Sequence, residues 1–127
     1  MIICGWLGSA FTGFAIASAA IFPVSAQALL ANGEALFRQR CQVCHSVVAA
    51  KPAGVGPNLR GVVGRKAGAA LFKYSAAMQQ SKLNWTEANL DRYLAAPTKV
   101  MPGTKMVIAV ADRAQRTEIV KYLSQAK

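Results

Sequence analysis

Histidine is the scarcest reactive side chain in this sequence, because its 127 residues contain only one, His45. Cysteine occurs three times, and Cys41 and Cys44 stand close to that histidine. A structural zinc site needs four ligands. If Cys4 belongs to a separate leader segment, only Cys41, Cys44 and His45 remain, and three ligands are too few. A thiol–disulfide redox pair is expected near a βαβ pattern, and no strand pattern is visible. Zinc and redox-pair interpretations are therefore disfavoured alternatives.

Charge is missing from the whole N-terminal stretch, residues 1–33. Its apolar core runs from about Phe11 to Phe22, and Val24-Ser25-Ala26 supplies small residues of the kind a signal peptidase reads. We therefore expect a signal peptide over residues 1–26, a domain over 27–127 and a location in the bacterial periplasm. The alternative is an uncleaved membrane anchor, because the uncharged run is long enough to span a bilayer.

Acidic residues are also few: five Asp and Glu stand against fifteen Lys and Arg, for a formal net charge of +10. A strongly basic domain suits an anionic partner such as an acidic protein face or a lipid surface. Plain solubility is the alternative explanation. Nucleic acid is not expected as a partner, because the compartment is wrong for it and no recognition motif is present.

Residues 41–45 read Cys-Gln-Val-Cys-His, which is the C-x-x-C-H pattern of covalent haem attachment. The two thiols can form thioether bonds to the two vinyl groups, and one helical turn can place both sulfurs along one haem edge. His45 follows at once, so its imidazole can bind the iron from the proximal side. The expected cofactor is one covalent haem c with its iron. The carbonyl of Pro57 could accept a hydrogen bond from the other ring nitrogen, although an ordinary turn proline is the alternative.

The second axial position of the iron is not decided by the residues alone. With one histidine, a haem with two histidine ligands cannot be built within the chain. Methionine, lysine and an open site remain. Met78 falls in a short helical stretch and is expected in the core, whereas Met101 and Met106 share one loop, and spacing does not choose between them. A methionine ligand would raise the reduction potential relative to a second nitrogen ligand.

Helix signals dominate the domain and predict an all-α fold. Helices are predicted from residue 32 or 33 to about 43, over 76–80, from 87 to about 95 and from 113 onward, with loops over 47–70 and 100–110. Thr86 is a good N-cap for the third helix. Asp112, with Gln115 three residues on, predicts a capping box for the last helix. Arg116 is expected to point outward from that helix.

These motifs together resemble the class I c-type cytochromes, in particular the mitochondrial type and its close bacterial relatives. The resemblance runs from about Gly33 to Leu123. It is carried by C-x-x-C-H, by Gly56-Pro57-Asn58-Leu59 with Gly64-Arg65-Lys66, and by Pro102-Gly103-Thr104-Lys105-Met106, which is similar to the distal-ligand loop of the family. It implies a small cytochrome c fold, with helices and loops wrapped around one haem, and it selects Met106 as the second ligand.

The resemblance also implies roles for other side chains. Pro57 is implied to hold His45 through its carbonyl. The haem propionates are implied to be surrounded by Arg65, Tyr74 and Trp85. Tyr93 and Thr104 are implied to lie beside the sulfur of Met106. Gly33 and Phe37 are implied to pack on the last helix near Leu123. Met78 is a departure, because many relatives have there a polar residue that holds a water beside the ligand.

The implied function is single-electron transfer between larger redox complexes, without enzymatic activity. The implied partners are acidic faces of membrane-bound reductases, oxidases or reaction centres. The side chains expected to steer these partners are Lys51, Lys73, Lys99 and Lys105. The carrier is expected to be a monomer. A haem enzyme or gas sensor is one alternative, and it requires an open distal site. A membrane-tethered module or oxidase subunit is another, and it requires residues 1–26 to remain attached.

Overall fold

The computed structural model describes residues 26–127, with side chains from residue 32 onward. Cys4 and the expected signal peptide, apart from its last residue, lie outside the described part. The helices in residues 26–127 are α1 Ala26–Arg40, α2 Ala76–Gln80, α3 Glu87–Ala95, α4 Pro97–Val100 and α5 Arg113–Gln125. Extended pairing in this range is limited to one isolated bridge between Lys66 and Asn84. The prediction of an all-α fold is confirmed. None of the helices described is both long and apolar enough to cross a bilayer.

Local signals explain where α3 and α5 begin. The side chain of Thr86 accepts a hydrogen bond from the N–H of Asn89 at 3.1 Å, and that of Asp112 accepts one from Gln115 at 2.9 Å. Both residues act as the N-caps that the sequence predicts. The capping box predicted at Asp112 is only half formed, because Oε1 of Gln115 accepts no hydrogen bond. The short helix α4 was not predicted. Pro97, which stops α3, also opens α4, because proline has no N–H to satisfy and is tolerated in the first turn of a helix.

Helix α1 differs from the prediction at both ends. It begins several residues before the expected start, because residues 26–31 are only Ala, Gln and Leu, which favour a helix. It ends at Arg40, three residues early, because the chain then tightens into a turn. In that turn the carbonyl of Cys41 accepts hydrogen bonds from the N–H groups of Cys44 at 3.0 Å and His45 at 2.9 Å. The haem-attachment pattern therefore lies on this turn.

Helices α1 and α5 are in close contact at Gly33. A Cβ atom there would lie 2.8 Å from Cβ of Tyr122 and would overlap the carbonyl oxygen of Glu118. The ring of Phe37 packs against the ring of Tyr122, with centroids 5.5 Å apart. The implied packing of Gly33 and Phe37 on the last helix is confirmed. Helix α5 also packs against α3, and this three-helix arrangement supports the loops between them.

The prediction for Arg116 is wrong, since only 8% of this residue is exposed. Its Nε donates to the carboxylate of Asp91 at 2.8 Å, and its Nη1 donates to the carbonyls of Val110 at 3.0 Å and Ala111 at 2.8 Å. The position of Arg116, three residues before the fully buried Ile119, puts it on the apolar face of α5. A buried charge of this kind is tolerated because it is paired and hydrogen-bonded.

Candidate haem site

A cavity of about 260 Å³ is lined by α2, α3 and α5 and by the two long loops. All ten site residues expected from the sequence line it: Cys41, Cys44, His45, Pro57, Arg65, Tyr74, Trp85, Tyr93, Thr104 and Met106. Much of the remaining wall is apolar core, from Val62, Leu90, Leu94, Ile119 and Leu123. An apolar cavity with polar groups at a few points suits a flat, largely hydrophobic cofactor.

His45 is oriented by the loop that faces it. Its Nδ1 donates a hydrogen bond to the carbonyl oxygen of Pro57 at 2.8 Å. A carbonyl oxygen can only accept, so Nδ1 carries the proton of this bond, and a neutral ring then has its lone pair on Nε2. An imidazole binds a metal in this form, and a hydrogen bond at the other nitrogen fixes the ring and makes it a better ligand.

Gly56 also lines the site, although no pattern in the sequence singled it out as a site residue. This residue is buried, and a Cβ atom on it would lie 2.6 Å from Nδ1 and 2.9 Å from Nε2 of His45. Its N–H donates to the carbonyl of Cys44 at 2.9 Å. Glycine lets the backbone come this close to the ring. Its place directly before Pro57 in a tight turn is the sequence signal that could have identified it.

Cys41 and Cys44 lie on the turn after α1 without a disulfide between them, and both line the cavity. Burial raises the pKa of Cys41 to about 11 and outweighs the opposing effect of Arg40. A redox-active C-x-x-C pair depends on a lowered thiol pKa, so the environment of Cys41 works against that alternative. Among residues 26–127, no cluster of three or more His, Cys, Asp or Glu side chains could hold a metal. The zinc alternative gains no support from this part of the chain.

The distal loop, residues 101–110, brings Met106 to the cavity and buries Met101 in the core away from it. The hydroxyl groups of Tyr93 and Thr104 are hydrogen-bonded at 2.5 Å, and the N–H of Met106 donates to the same threonine oxygen at 3.3 Å. Burial raises the pKa of Tyr93, and the bond to Thr104 opposes this effect. Helix α3 is therefore tied to the distal loop beside Met106.

Arg65, Tyr74 and Trp85 contribute further groups to the cavity wall. The guanidinium of Arg65 donates to the backbone carbonyls of Arg60 at 3.1 Å and Asn58 at 3.0 Å, which holds it at the cavity. Burial raises the pKa of Tyr74, although the charge of Arg65 opposes this effect. A fixed positive charge near hydroxyl and indole N–H donors suits carboxylates such as haem propionates.

Met78 lies in the core, as the sequence predicts, and it also lines the cavity. Its thioether offers no hydrogen-bond donor and only a weak acceptor. The cavity wall is therefore apolar at this position.

All five acidic side chains lie on helices or at their caps, and none lies in the loops that line the cavity. Three are paired with basic residues, as Glu34–Arg38, Asp91–Arg116 and Glu118–Lys121 at 2.6, 2.8 and 3.9 Å. Asp112 caps α5, and Glu87 stands in the first turn of α3, where a negative charge is favourable. The charged side chains of loop residues 46–75 and 101–110 are all basic: Lys51, Arg60, Arg65, Lys66, Lys73 and Lys105.

Comparison with known proteins decides the family. The sequence model of the family described as cytochrome c matches residues 30–127. This chain belongs to the cytochrome c family. Cytochrome c2 of Rhodomicrobium vannielii is 42% identical over 120 residues, covering 93% of this chain and 90% of that protein. Cytochrome c of Chlamydomonas reinhardtii is 45% identical over 101 residues, covering 76% of this chain and 88% of that protein.

A solved structure agrees with this assignment. Cytochrome cH from Methylobacterium extorquens superposes with a TM-score of 0.68 at 41% sequence identity, covering 74% of this chain and 95% of that protein. The cytochrome c fold implied by the motifs is therefore confirmed.

Cytochromes c carry a covalent haem c with its iron, and the C-x-x-C-H pattern of this chain supplies Cys41 and Cys44 for the attachment. The residues fit this cofactor on structural grounds, because both thiols and His45 line one apolar cavity. When bound, the haem supplies an iron that changes its charge by one electron. Members of this family are electron carriers, which gives the general function of this chain.

Proposed function

We propose that this cytochrome c is a single-electron carrier with axial iron ligands from His45 and Met106. The observation that carries the proposal is that both side chains line one cavity, with His45 Nδ1 engaged by Pro57 and with Met106 on a loop tied to α3. Histidine–methionine ligation raises the reduction potential of a haem. With both axial positions filled, an electron can be exchanged while the ligands stay in place.

The groups around the two ligands have supporting roles in this proposal. Arg65, Tyr74 and Trp85 surround the propionates. Tyr93 and Thr104 hold the backbone next to Met106 and lie near its sulfur. The burial of Tyr93 and its hydrogen bond to Thr104 support this assignment, because the pair leaves little freedom next to the ligand.

The visible spectrum of the oxidised protein tests the ligation. We expect the weak far-red band of a methionine sulfur on ferric haem in the wild type and its loss in Met106→Ala. Met101→Leu is the matched control, because Met101 shares the loop but does not line the cavity, and it should keep the band. If the wild type lacks the band and binds carbon monoxide readily when reduced, the distal site is open and the enzyme or sensor function replaces the carrier function.

We also propose that the carrier acts as a monomer on acidic faces of membrane-bound reductases, oxidases or reaction centres. The all-basic charge of the loops supports this, as does the exposure of Val107 and Ile108 directly after Met106. Lys51, Lys73, Lys99 and Lys105 are exposed and available for steering.

Salt dependence of electron transfer to an acidic partner tests the steering. We expect the association rate to fall steeply as the Debye length shortens to about 10 Å near 0.1 M salt. Lys105→Gln should lower the rate at low salt more than Lys127→Gln, a charge-matched change at the C terminus. Turnover that does not depend on salt would contradict the proposal.

The N-terminal boundary of the mature protein and its cellular location are proposals too. Removal of residues 1–26 would leave a periplasmic carrier of residues 27–127, whereas retention would leave a membrane-tethered module or oxidase subunit. N-terminal sequencing of the mature protein separates them. A start at Gln27 excludes the peptide anchor, and an intact leader excludes the free carrier.

A further inference from the structure

Helix α3 holds the distal loop on both sides of Met106. Before this residue, Thr104 is hydrogen-bonded to Tyr93 at 2.5 Å. After it, the N–H of Val110 donates to the carbonyl of Leu94 at 2.8 Å. Both anchors on α3 are buried, with Tyr93 4% and Leu94 7% exposed. The position of Met106 therefore depends on two attachments to the same helix.

A buried guanidinium completes the second attachment. Nη1 of Arg116 donates to the carbonyls of Val110 at 3.0 Å and Ala111 at 2.8 Å, and its Nε donates to Asp91 of α3 at 2.8 Å. The side chain of Arg116 is 10% exposed and that of Asp91 is 37% exposed. Hydrogen bonds from a charged donor are stronger than neutral ones. Arg116 thus joins α5, α3 and the end of the distal loop at one point.

We propose that Arg116 is a positioning residue for the Met106 sulfur, acting through the backbone of the distal loop. The proposal rests on the ligation by Met106 proposed above. Arg116 does not itself line the cavity, but Val110, whose carbonyl it holds, does. The guanidinium thereby sets how readily the loop lifts away from the iron. Nothing in this role requires contact with the haem.

The strength of this attachment should appear in competition for the iron. An added ligand such as imidazole binds ferric haem only when the loop releases Met106, so its affinity reports the population of the open loop. When a charged hydrogen-bond donor is removed and its acceptors stay buried without a partner, the equilibrium between the closed and open loop should change by roughly tenfold or more. We therefore expect imidazole to bind Arg116→Met about tenfold more tightly than the wild type.

The experiment measures imidazole affinity and the thermal loss of the far-red band in the oxidised, haem-loaded protein. Arg116→Met keeps the length of the side chain and removes its charge and donors. Arg113→Met is the matched control on the same helix, because Arg113 is exposed, and it should behave as the wild type. In Arg116→Met the band should disappear at a lower temperature than the helical circular dichroism signal.

Gly33→Ala separates positioning from general destabilisation, because it perturbs the α1–α5 contact far from the distal loop in sequence. Wild-type imidazole affinity in Arg116→Met would overturn the proposal, as would a rise no larger than that in Gly33→Ala. If Arg116→Met fails to fold, Asp91→Asn replaces it, since this variant removes the charge partner and keeps the guanidinium. There a rise in affinity supports the proposal, and wild-type affinity refutes it. A wild type without the far-red band would refute the ligation by Met106 instead.

Discussion

Replacing Gly56 with alanine tests the proximal half of the site most directly. The added methyl carbon would lie 2.6 Å from Nδ1 and 2.9 Å from Nε2 of His45, whereas non-bonded heavy atoms prefer about 3.5–4.0 Å. The ring or the loop must move, and the same ring carries the hydrogen bond to Pro57. Overpacking costs about 1–3 kcal/mol, and one lost hydrogen bond costs about 1 kcal/mol. We expect the free energy of unfolding to fall by about 2–4 kcal/mol.

Denaturant unfolding of the haem-loaded protein, followed by far-ultraviolet circular dichroism, measures this loss. Gly54→Ala is the matched control in the same loop, because a Cβ atom there would meet only the carbonyl oxygen of Cys44 at an ordinary 3.6 Å. That variant should change the free energy of unfolding by less than about 1 kcal/mol. Equal losses in the two variants, or no loss in Gly56→Ala, would refute the steric argument.

Two further predictions concern the helices. Gly33→Ala should lower the free energy of unfolding by about 1–3 kcal/mol, because the added methyl group would meet the backbone of Glu118 and Cβ of Tyr122. Thermal unfolding measures this loss, and an unchanged melting temperature would contradict the prediction. Burial raises the pKa of Tyr93 above its ordinary value of 10.0, so above that pH the unfolded chain releases a proton that the native state keeps. The free energy of unfolding should therefore fall as pH rises above about 10. In unfolding experiments at high pH, Tyr93→Phe should show a shallower fall than the wild type. Identical dependence on pH in the two proteins would count against this reasoning.

The sequence predicts which residues line the cavity because the patterns that name them are short and local. C-x-x-C-H, the turn at Pro57 and the loop that ends in Met106 each constrain a few neighbouring residues, and the structure brings them to one cavity. The caps at Thr86 and Asp112 are equally local. Spacing alone could not choose Met106 over Met101, because both lie in one loop. That choice came from the resemblance to the family, and the spectrum of Met106→Ala tests it.

The missed features depend on segments that are distant in sequence. The burial of Arg116 depends on Asp91, which lies on another helix, and on two backbone carbonyls at the end of the distal loop. Taken alone, its charge suggests a surface residue. The need for glycine at position 56 depends on how closely the loop approaches the ring of His45. Distances of this kind follow from the packed fold and from no local pattern.

The scarcity of histidine leaves this protein few side chains that ordinarily change charge near neutral pH. Carboxyl groups ordinarily titrate near pH 4, and lysine and arginine above pH 10. The chain has one histidine, its Nδ1 is hydrogen-bonded to Pro57, and the proposed ligation gives its Nε2 to the iron. Apart from His45 and the cysteines, no type of side chain in this sequence ordinarily changes charge between about pH 5 and 9. Ionic strength, more than acidity, should then set how strongly the basic loops attract an acidic partner.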